Sequence, residues 1–398
     1  MKESLSERVR KMQPSATIAM AARAREMQAQ GISVINLSLG EPDFGTPQVI
    51  CDAAKSALDE GYTHYPPVPG LIELRESICR KLQRDNQLHY TPQNIVVSNG
   101  AKQSIANVLL SILNPDDEII VFAPYWVSYS EMVRLTGAKM IPLHCEVSNG
   151  YLPDPQALKE LITSKTKAVL YSSPCNPTGA AFSEELIREI AEVLKPHPHI
   201  VVISDEIYEY IRYEGQHFSI AQVEGFQERT ALINGFSKGF AMTGWRLGYL
   251  AGPEWLARAC TKIQSQFTSG AHAYGQKAAA IAYEAAREDV HTMVEAFRRR
   301  RSLIMKLIEG IPHLQCPTPQ GAFYIFPDVS AYFGKTDGKR VIHTSEDLAM
   351  YLLEEAHVAT VPGTPFGAPR CIRISYAASE EDITTAMERI GRALQALQ

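Results

Sequence analysis

The chain has 398 residues, 45% of them hydrophobic and 21% charged, with 39 Lys and Arg against 44 Asp and Glu for a formal charge of −5. That apolar fraction excludes a disordered chain, and the acidic balance argues against a nucleic-acid or anionic-membrane surface, which would need a compensating basic patch. No uncharged run approaches the ~18 apolar residues of a membrane span. The start, Met1-Lys2-Glu3-Ser4-Leu5-Ser6-Glu7, reads as neither signal nor transit peptide, and the seven cysteines contain no C-x-x-C pair. They read as reduced thiols of a cytoplasmic protein with no metal site.

In chain order, the pattern predicts an opening helix over Ala16 to Gln30 and a break at Gly40-Glu41-Pro42-Asp43. Short Val- and Ile-rich runs then alternate with amphipathic stretches. Ile95-Val96-Val97-Ser98 leads through Asn99-Gly100-Ala101-Lys102 into a helical segment, and Glu118 to Phe122 ends at Ala123-Pro124-Tyr125-Trp126. Lys167 to Tyr171 ends at Ser173-Pro174-Cys175-Asn176-Pro177-Thr178-Gly179, Ile200 to Ile203 at Ser204-Asp205-Glu206, and Thr230 to Ile233 at Asn234-Gly235-Phe236-Ser237-Lys238. Continuous apolar strands separated by helices predict an α/β protein with a mostly parallel central sheet. Long helical stretches (Gln276 to Arg287, Val290 to Glu309), strands at Gly321 to Phe326 and Cys371 to Ser375, and a final helix from Ser379 predict a smaller α+β domain. The expected division is 48–290 for the large domain, and 1–47 together with 291–398 for the small one.

Ligands of open α/β sheets bind beyond the carboxyl ends of the strands, and there the sequence places its polar residues. Gly100-Ala101-Lys102 opens a helix whose free N–H groups and dipole suit a phosphate, or it is an ordinary strand–helix turn. Asp205 could hold a protonated ring nitrogen, because a carboxylate raises the pKa of an adjacent base, or it could cap a helix. The Walker-B alternative lacks its P-loop, since Gly334-Lys335-Thr336 has Val329 where the first glycine must be. Lys238 could form a Schiff base. The overlapping Gly235-Phe236-Ser237-Lys238-Gly239 spells a hydrolase elbow with Ser237 as nucleophile, which would require a helix directly after it. Arg246 and Arg373 each need an anion, from a ligand or from an internal acid. Arg298 to Arg301 circle one helical turn, so their charges cannot form one face, and they read as a solvated helix rather than a nucleic-acid patch.

The segments Ser173 to Gly179, Asp205-Glu206-Ile207-Tyr208, Ser237 to Arg246 and Cys371-Ile372-Arg373-Ile374-Ser375-Tyr376 resemble class I aminotransferases in order and spacing, and the resemblance runs from near Leu5 to the last helix. It implies the fold of pyridoxal-phosphate-dependent transferases (fold type I), a homodimer, and pyridoxal 5′-phosphate as cofactor. Lys238 would carry the Schiff base and act as acid and base. Asp205 would pair with the pyridinium nitrogen, Tyr208 and Asn176 with the phenolate oxygen, and Trp126 would stack on the ring. Gly100, Ala101, Lys102, Gly235 and Arg246 would surround the phosphate, joined by Tyr65 from the neighbouring subunit. Arg373 would grip the substrate α-carboxylate, and Gly40 would contact substrate through its backbone.

Asn99-Gly100-Ala101-Lys102-Gln103 further resembles bacterial and plant aspartate aminotransferases in which this lysine reads the distal carboxylate, with Thr17 in the segment closing over the same end. The implied reaction moves an amino group between L-aspartate and 2-oxoglutarate. Prephenate, aromatic or neutral substrates are the alternative on the same residues. Cys175 stands where many members carry Asn or Asp, and Ser237 where close relatives often carry Ala.

Overall fold

The computed structural model describes residues 4–398. A two-residue strand β1 (Ile35–Asn36) precedes the strands of the central sheet: β2 (Ile95–Ser98), β3 (Glu118–Ala123), β4 (Lys139–His144), β5 (Thr166–Ser172), β6 (Val201–Asp205), β7 (Thr230–Gly235) and β8 (Gly248–Ala251). Their order is β2-β8-β7-β6-β5-β3-β4, and only β8 runs antiparallel to its neighbours. The sheet is α/β and mostly parallel, as the apolar runs predict.

Successive residues face opposite layers, the period of a strand. Ala168, Leu170, Val201 and Ile203 pack against helices Ala101–Ile112, Ser128–Thr136 and Glu254–Phe267. Val169, Tyr171 and Val202 pack against helix Glu184–Leu194 on the other face. Both layers are dry, which is why the strands carry no polar alternation.

The remaining strands are short: β9 (Tyr324–Ile325), β10 (Val358–Ala359), β11 (Val361–Pro362) and β12 (Ile372–Ser375). They form a three-stranded sheet in the order β11-β12-β9 and a β1-β10 pair. The expected strand over Gly321 to Phe326 shrinks to two residues, because Ala322 sits at φ +54° and interrupts the extended backbone. Strand β4 escapes the apolar-run criterion. It is the sheet edge, part-exposed, with Lys139 and His144 at its ends and Pro142 inside, and an edge strand tolerates all three.

Of Arg298 to Arg301, only Arg299 is exposed as the expected solvated helix would have it. Arg300 is 9% exposed and bonds both carboxylate oxygens of Asp43; Arg301 pairs with Glu214, and Arg298 donates to the Tyr213 carbonyl. Different segments press on the helix from several sides, so charges spread around it find separate partners. No helix among the described residues is long and apolar enough to cross a membrane.

One buried ion pair ties helix Ile72–Asn86 to the sheet. Lys81, fully buried on helix Ile72–Asn86, meets Glu209, which also accepts from Asn86 (2.8 Å) and Asn234 (2.7 Å). Burial pushes the Glu209 carboxyl up, but the charge of Lys81, that of His217 and these hydrogen bonds outweigh it and bring it down to about 2. Its stabilising contribution is therefore complete above the ordinary value of 4.5 and is lost as pH falls toward about 2. Lys81→Met leaves that charge unmatched and is expected to lower stability by about 3–5 kcal/mol in urea unfolding at neutral pH, with much of the loss recovered when Glu209→Gln is added.

Candidate active site

A cleft of about 340 Å³ opens at the carboxyl ends of β5, β6 and β7. Its lining includes Thr17, Gly40, Ala101, Lys102, Trp126, Asn176, Asp205, Tyr208, Lys238, Arg246 and Arg373. Eleven residues singled out from the sequence thus converge from segments more than three hundred positions apart. Gly100 and Gly235 lie directly beneath the lining. Tyr65 is the exception: its ring is 94% exposed, outside the cleft of its own chain.

Asp205 is the last residue of β6 rather than the residue after it, in register with Ser172 on β5 and Ile233 on β7. Central placement buries it to 4% exposure. One oxygen accepts the Tyr129 hydroxyl at 2.5 Å and the other the Ile207 amide at 3.3 Å. Burial dominates these bonds and pushes the carboxyl up to about 6.

Lys238 lies in the turns after β7, half-buried, its ammonium donating to the Gly40 carbonyl and standing 5.8 Å from the Tyr208 ring centre. Desolvation, then the charge of Arg373, brings it down to about 8. The segment from Phe236 to Arg246 is turns leading into β8, not the helix a hydrolase elbow requires, and Ser237 is buried with no histidine bonded to it among the described residues. The hydrolase alternative therefore falls.

Arg373 is 1% exposed in the middle of the β11-β12-β9 sheet. It donates to Asn176 Oδ1 (2.9 Å) and the Ser38 carbonyl (2.6 Å), lies 4.5 Å over the Tyr324 ring, and its buried Nε has no partner. No acid pairs with it among the described residues, nor with Lys102, Lys238 or Arg246, so the internal-acid alternative fails for both arginines. Lys102 stands 4.8 Å from the Trp126 ring centre and is shifted down by burial and by Arg246.

Close backbone packing shapes the remaining wall. Gly100 adopts φ +84° at the start of helix Ala101–Ile112, and a Cβ there would fall 2.5 Å from Arg246 Nη2. A Cβ on Gly248 would fall 2.3 Å from the Ala101 nitrogen. These contacts set the first amides of the helix beside a guanidinium, an arrangement that can hold an anion. The whole arrangement offers four cations and one buried carboxylate to a ligand carrying several anionic groups and one protonated base.

Comparison with known proteins agrees. The family model for aminotransferase class I and II matches residues 32–390. The chain belongs to that family. A bifunctional aspartate aminotransferase and glutamate/aspartate-prephenate aminotransferase of Petunia hybrida is 48% identical over 98% of this chain and 83% of its own length. An aspartate/prephenate aminotransferase of Cereibacter sphaeroides is 44% identical over 97% of both chains. Among solved structures, the aspartate aminotransferase of Rhizobium meliloti superposes with a TM-score of 0.95 at 40% identity, over 99% of this chain and 100% of its own. That of Thermus thermophilus with maleate gives 0.92 at 41% over 98% and 99%. The fold is that of the family's pyridoxal-phosphate-dependent transferases, fold type I.

Sequence reasoning missed Tyr129 and Tyr324. Tyr129 lies three residues after Trp126, inside the apolar face of helix Ser128–Thr136, and reads as core. Tyr324, whose hydroxyl is 2.7 Å from that of Tyr208, hides in an aromatic run. Only its position one turn after Trp126, at the start of the helix that follows the strand end, could have signalled the first.

Because Asp205 titrates near 6 in the folded chain against 3.8 ordinarily, its ionisation opposes folding fully above about 6 and not at all below 3.8. Asp205→Asn is therefore expected to stabilise the ligand-free protein by up to about 3 kcal/mol at pH 7.5. The gain should vanish below pH 4 in paired urea titrations.

Proposed function

We propose that this aminotransferase moves an amino group between L-aspartate, or a similar dicarboxylic amino acid, and 2-oxoglutarate, using pyridoxal 5′-phosphate held through Lys238. The observation that carries the reading is the set of four cleft cations, Lys102, Lys238, Arg246 and Arg373, none with a carboxylate partner in its own chain among the described residues. A phosphate and two substrate carboxylates would satisfy them. The residues present fit the cofactor: Gly100, Ala101, Lys102, Gly235 and Arg246 for its phosphate, Asp205 for its ring nitrogen, Tyr208 and Asn176 for its phenolate oxygen, and Trp126 for its face. When bound, it supplies an aldehyde carbon for the amine and a cationic ring that draws electrons from the substrate.

The chain's own groups do the rest. An Nζ titrating near 8 is unprotonated in a useful fraction at neutral pH, so Lys238 can take the α-proton and return it when the reaction runs backward. Asp205 stays anionic once a cation faces it, since opposite charge lowers a carboxyl pKa. Arg373 turns its guanidinium to the α-carboxylate and Gly40 its backbone, while Lys102 and Thr17 stand at the far end for the second carboxylate. Relatives named for prephenate support that compound as a second substrate.

The reading includes a division into 48–290 and 1–47 with 291–398, with the cleft between. It is supported by the central sheet falling wholly in the first part and the short sheets in the second. It also includes a homodimer in which Tyr65 reaches the partner's phosphate site. Its 94% exposed ring lies on a loop whose next residue, Pro66, packs beside Gly270, and Phe267 nearby is 70% exposed. Seven free thiols support a cytoplasmic setting.

The test is the visible spectrum of the purified protein loaded with pyridoxal phosphate. A yellow band that falls with aspartate and returns with 2-oxoglutarate is expected, absent in Lys238→Ala. A band indifferent to aspartate would shift the reading to prephenate, aromatic or neutral substrates; no band at all would overturn it. Lys102→Ala is expected to cut kcat/KM for aspartate by about tenfold relative to a neutral amino acid, equivalent to roughly 1.4 kcal/mol. An unchanged ratio would remove Lys102 from substrate recognition.

A further inference from the structure

The segment Ser38–Asp43 runs between the cleft and the long helix Arg287–Glu309. Its backbone holds two of the cleft's cations: the Ser38 carbonyl accepts from Arg373 Nη2 at 2.6 Å, and the Gly40 carbonyl accepts from Lys238 Nζ. Three residues beyond Gly40, Asp43 takes Nη1 and Nη2 of Arg300 at 2.6 and 2.8 Å. The fork is itself fixed, with the Arg300 guanidinium 5.0 Å from the Phe44 ring centre and 5.6 Å from that of Phe297. Pro42 locks one torsion of the connection. Only Glu41 and Pro42 separate Gly40 from Asp43, so the fork and the Gly40 carbonyl belong to one short connection. On the opposite side, Glu41 accepts from Thr243 at 2.9 Å and the Thr46 hydroxyl donates to the Ala241 carbonyl at 2.9 Å, joining the segment to the turns after Lys238.

We propose that Arg300 is a positioning residue: its two-pronged bond to Asp43 sets where the Ser38 and Gly40 carbonyls stand, and so how Arg373 and Lys238 are aimed into the cleft. The Arg373 half rests on the amino-acid-binding reading above; the Lys238 half does not. A merely structural ion pair would stabilise the fold and leave both cations as they are.

The experiment compares Arg300→Gln, Arg300→Lys and Asp43→Asn with Arg301→Gln, a control on the same helix whose partner is Glu214. The first readout is KM against kcat for aspartate in the cofactor-loaded enzyme. The second is the pH midpoint of Lys238 modification by an amine-directed reagent in the cofactor-free protein, followed by peptide mass spectrometry. Arg373, Glu41, Arg246 and Asp205 all act on that amine and are unchanged in every variant. The Gly40 carbonyl favours the charged ammonium, so its displacement lowers the midpoint.

Arg300→Gln and Asp43→Asn are expected to raise KM by about tenfold with a smaller change in kcat, within the ~hundredfold that remote misplacement can cost. Both should lower the Lys238 midpoint, with Arg300→Lys recovering part of each effect and Arg301→Gln producing neither. Asp43→Asn keeps the side-chain volume and serves if Arg300→Gln does not fold. An active wild type whose KM and midpoint stay put in both variants, whatever their melting temperatures, would overturn the proposal. A midpoint that moves in a protein converting no amino acid would uphold the clamp and defeat the functional reading instead.

Discussion

A guanidinium buried in the middle of a sheet with no acid beside it is the constraint around which this cleft is built. Taking a charge out of water costs several kcal/mol unless partners replace the lost solvent. Arg373 has an amide oxygen, a backbone carbonyl and two aromatic faces, which together orient it but do not neutralise it. The fold therefore holds a positive charge in a defined direction and leaves its neutralisation to something that enters. Asn176, Ser38 and Tyr324 can be understood as the fixtures of that one group. Their segments come from the far side of β5, from the chain before the central sheet, and from β9.

The sheet makes such fixtures affordable. Its central strands are buried on both faces, so the rigidity comes from apolar layers that contribute nothing polar to the cleft. The polar residues can then be confined to one edge, where each strand stops. Asp205 illustrates the geometry: as the closing residue of a central strand it is flanked on both sides by backbone, and only its outward direction remains for a ligand. Tyr129 covers one oxygen from the adjacent helix. A carboxylate so enclosed is held in one direction, toward the cleft.

Much of this was legible because burial on both faces writes itself as uninterrupted Val and Ile, and strand ends write themselves as Gly, Pro, Asn and Asp. Lys238, Asp205 and Asn176 sit at such ends, and the cleft contains them. What stayed illegible has a common physical cause. Strand β4 is an edge and carries Pro142 and two polar ends, so its pattern is that of a loop. Tyr129 does two things at once, packing in a helix and donating to Asp205, and only the first leaves a periodic trace. Arg300 lies in a run of arginines spread around one helical turn, a pattern that reads as solvated, yet its partner Asp43 is 257 positions away. Ion pairs of that separation have no sequence signature, and the same holds for Lys81 and Glu209.

Two acids on one short stretch show how the fold sorts structure from chemistry. Asp205 and Glu209 are both buried, and burial alone would raise both. Glu209 is brought down to about 2 by the charges of Lys81 and His217 and the hydrogen bonds of Lys81 and Asn86, whereas Asp205, with a tyrosine hydroxyl and one amide, is left near 6. Environments that push neighbouring titratable groups apart distinguish their roles. The acid that is fully matched within the chain anchors helix Ile72–Asn86 to the β7 end at Asn234. The acid that is left unmatched lines the cleft. Neither residue type nor exposure separates the two; the difference lies in which partners the chain brings to each.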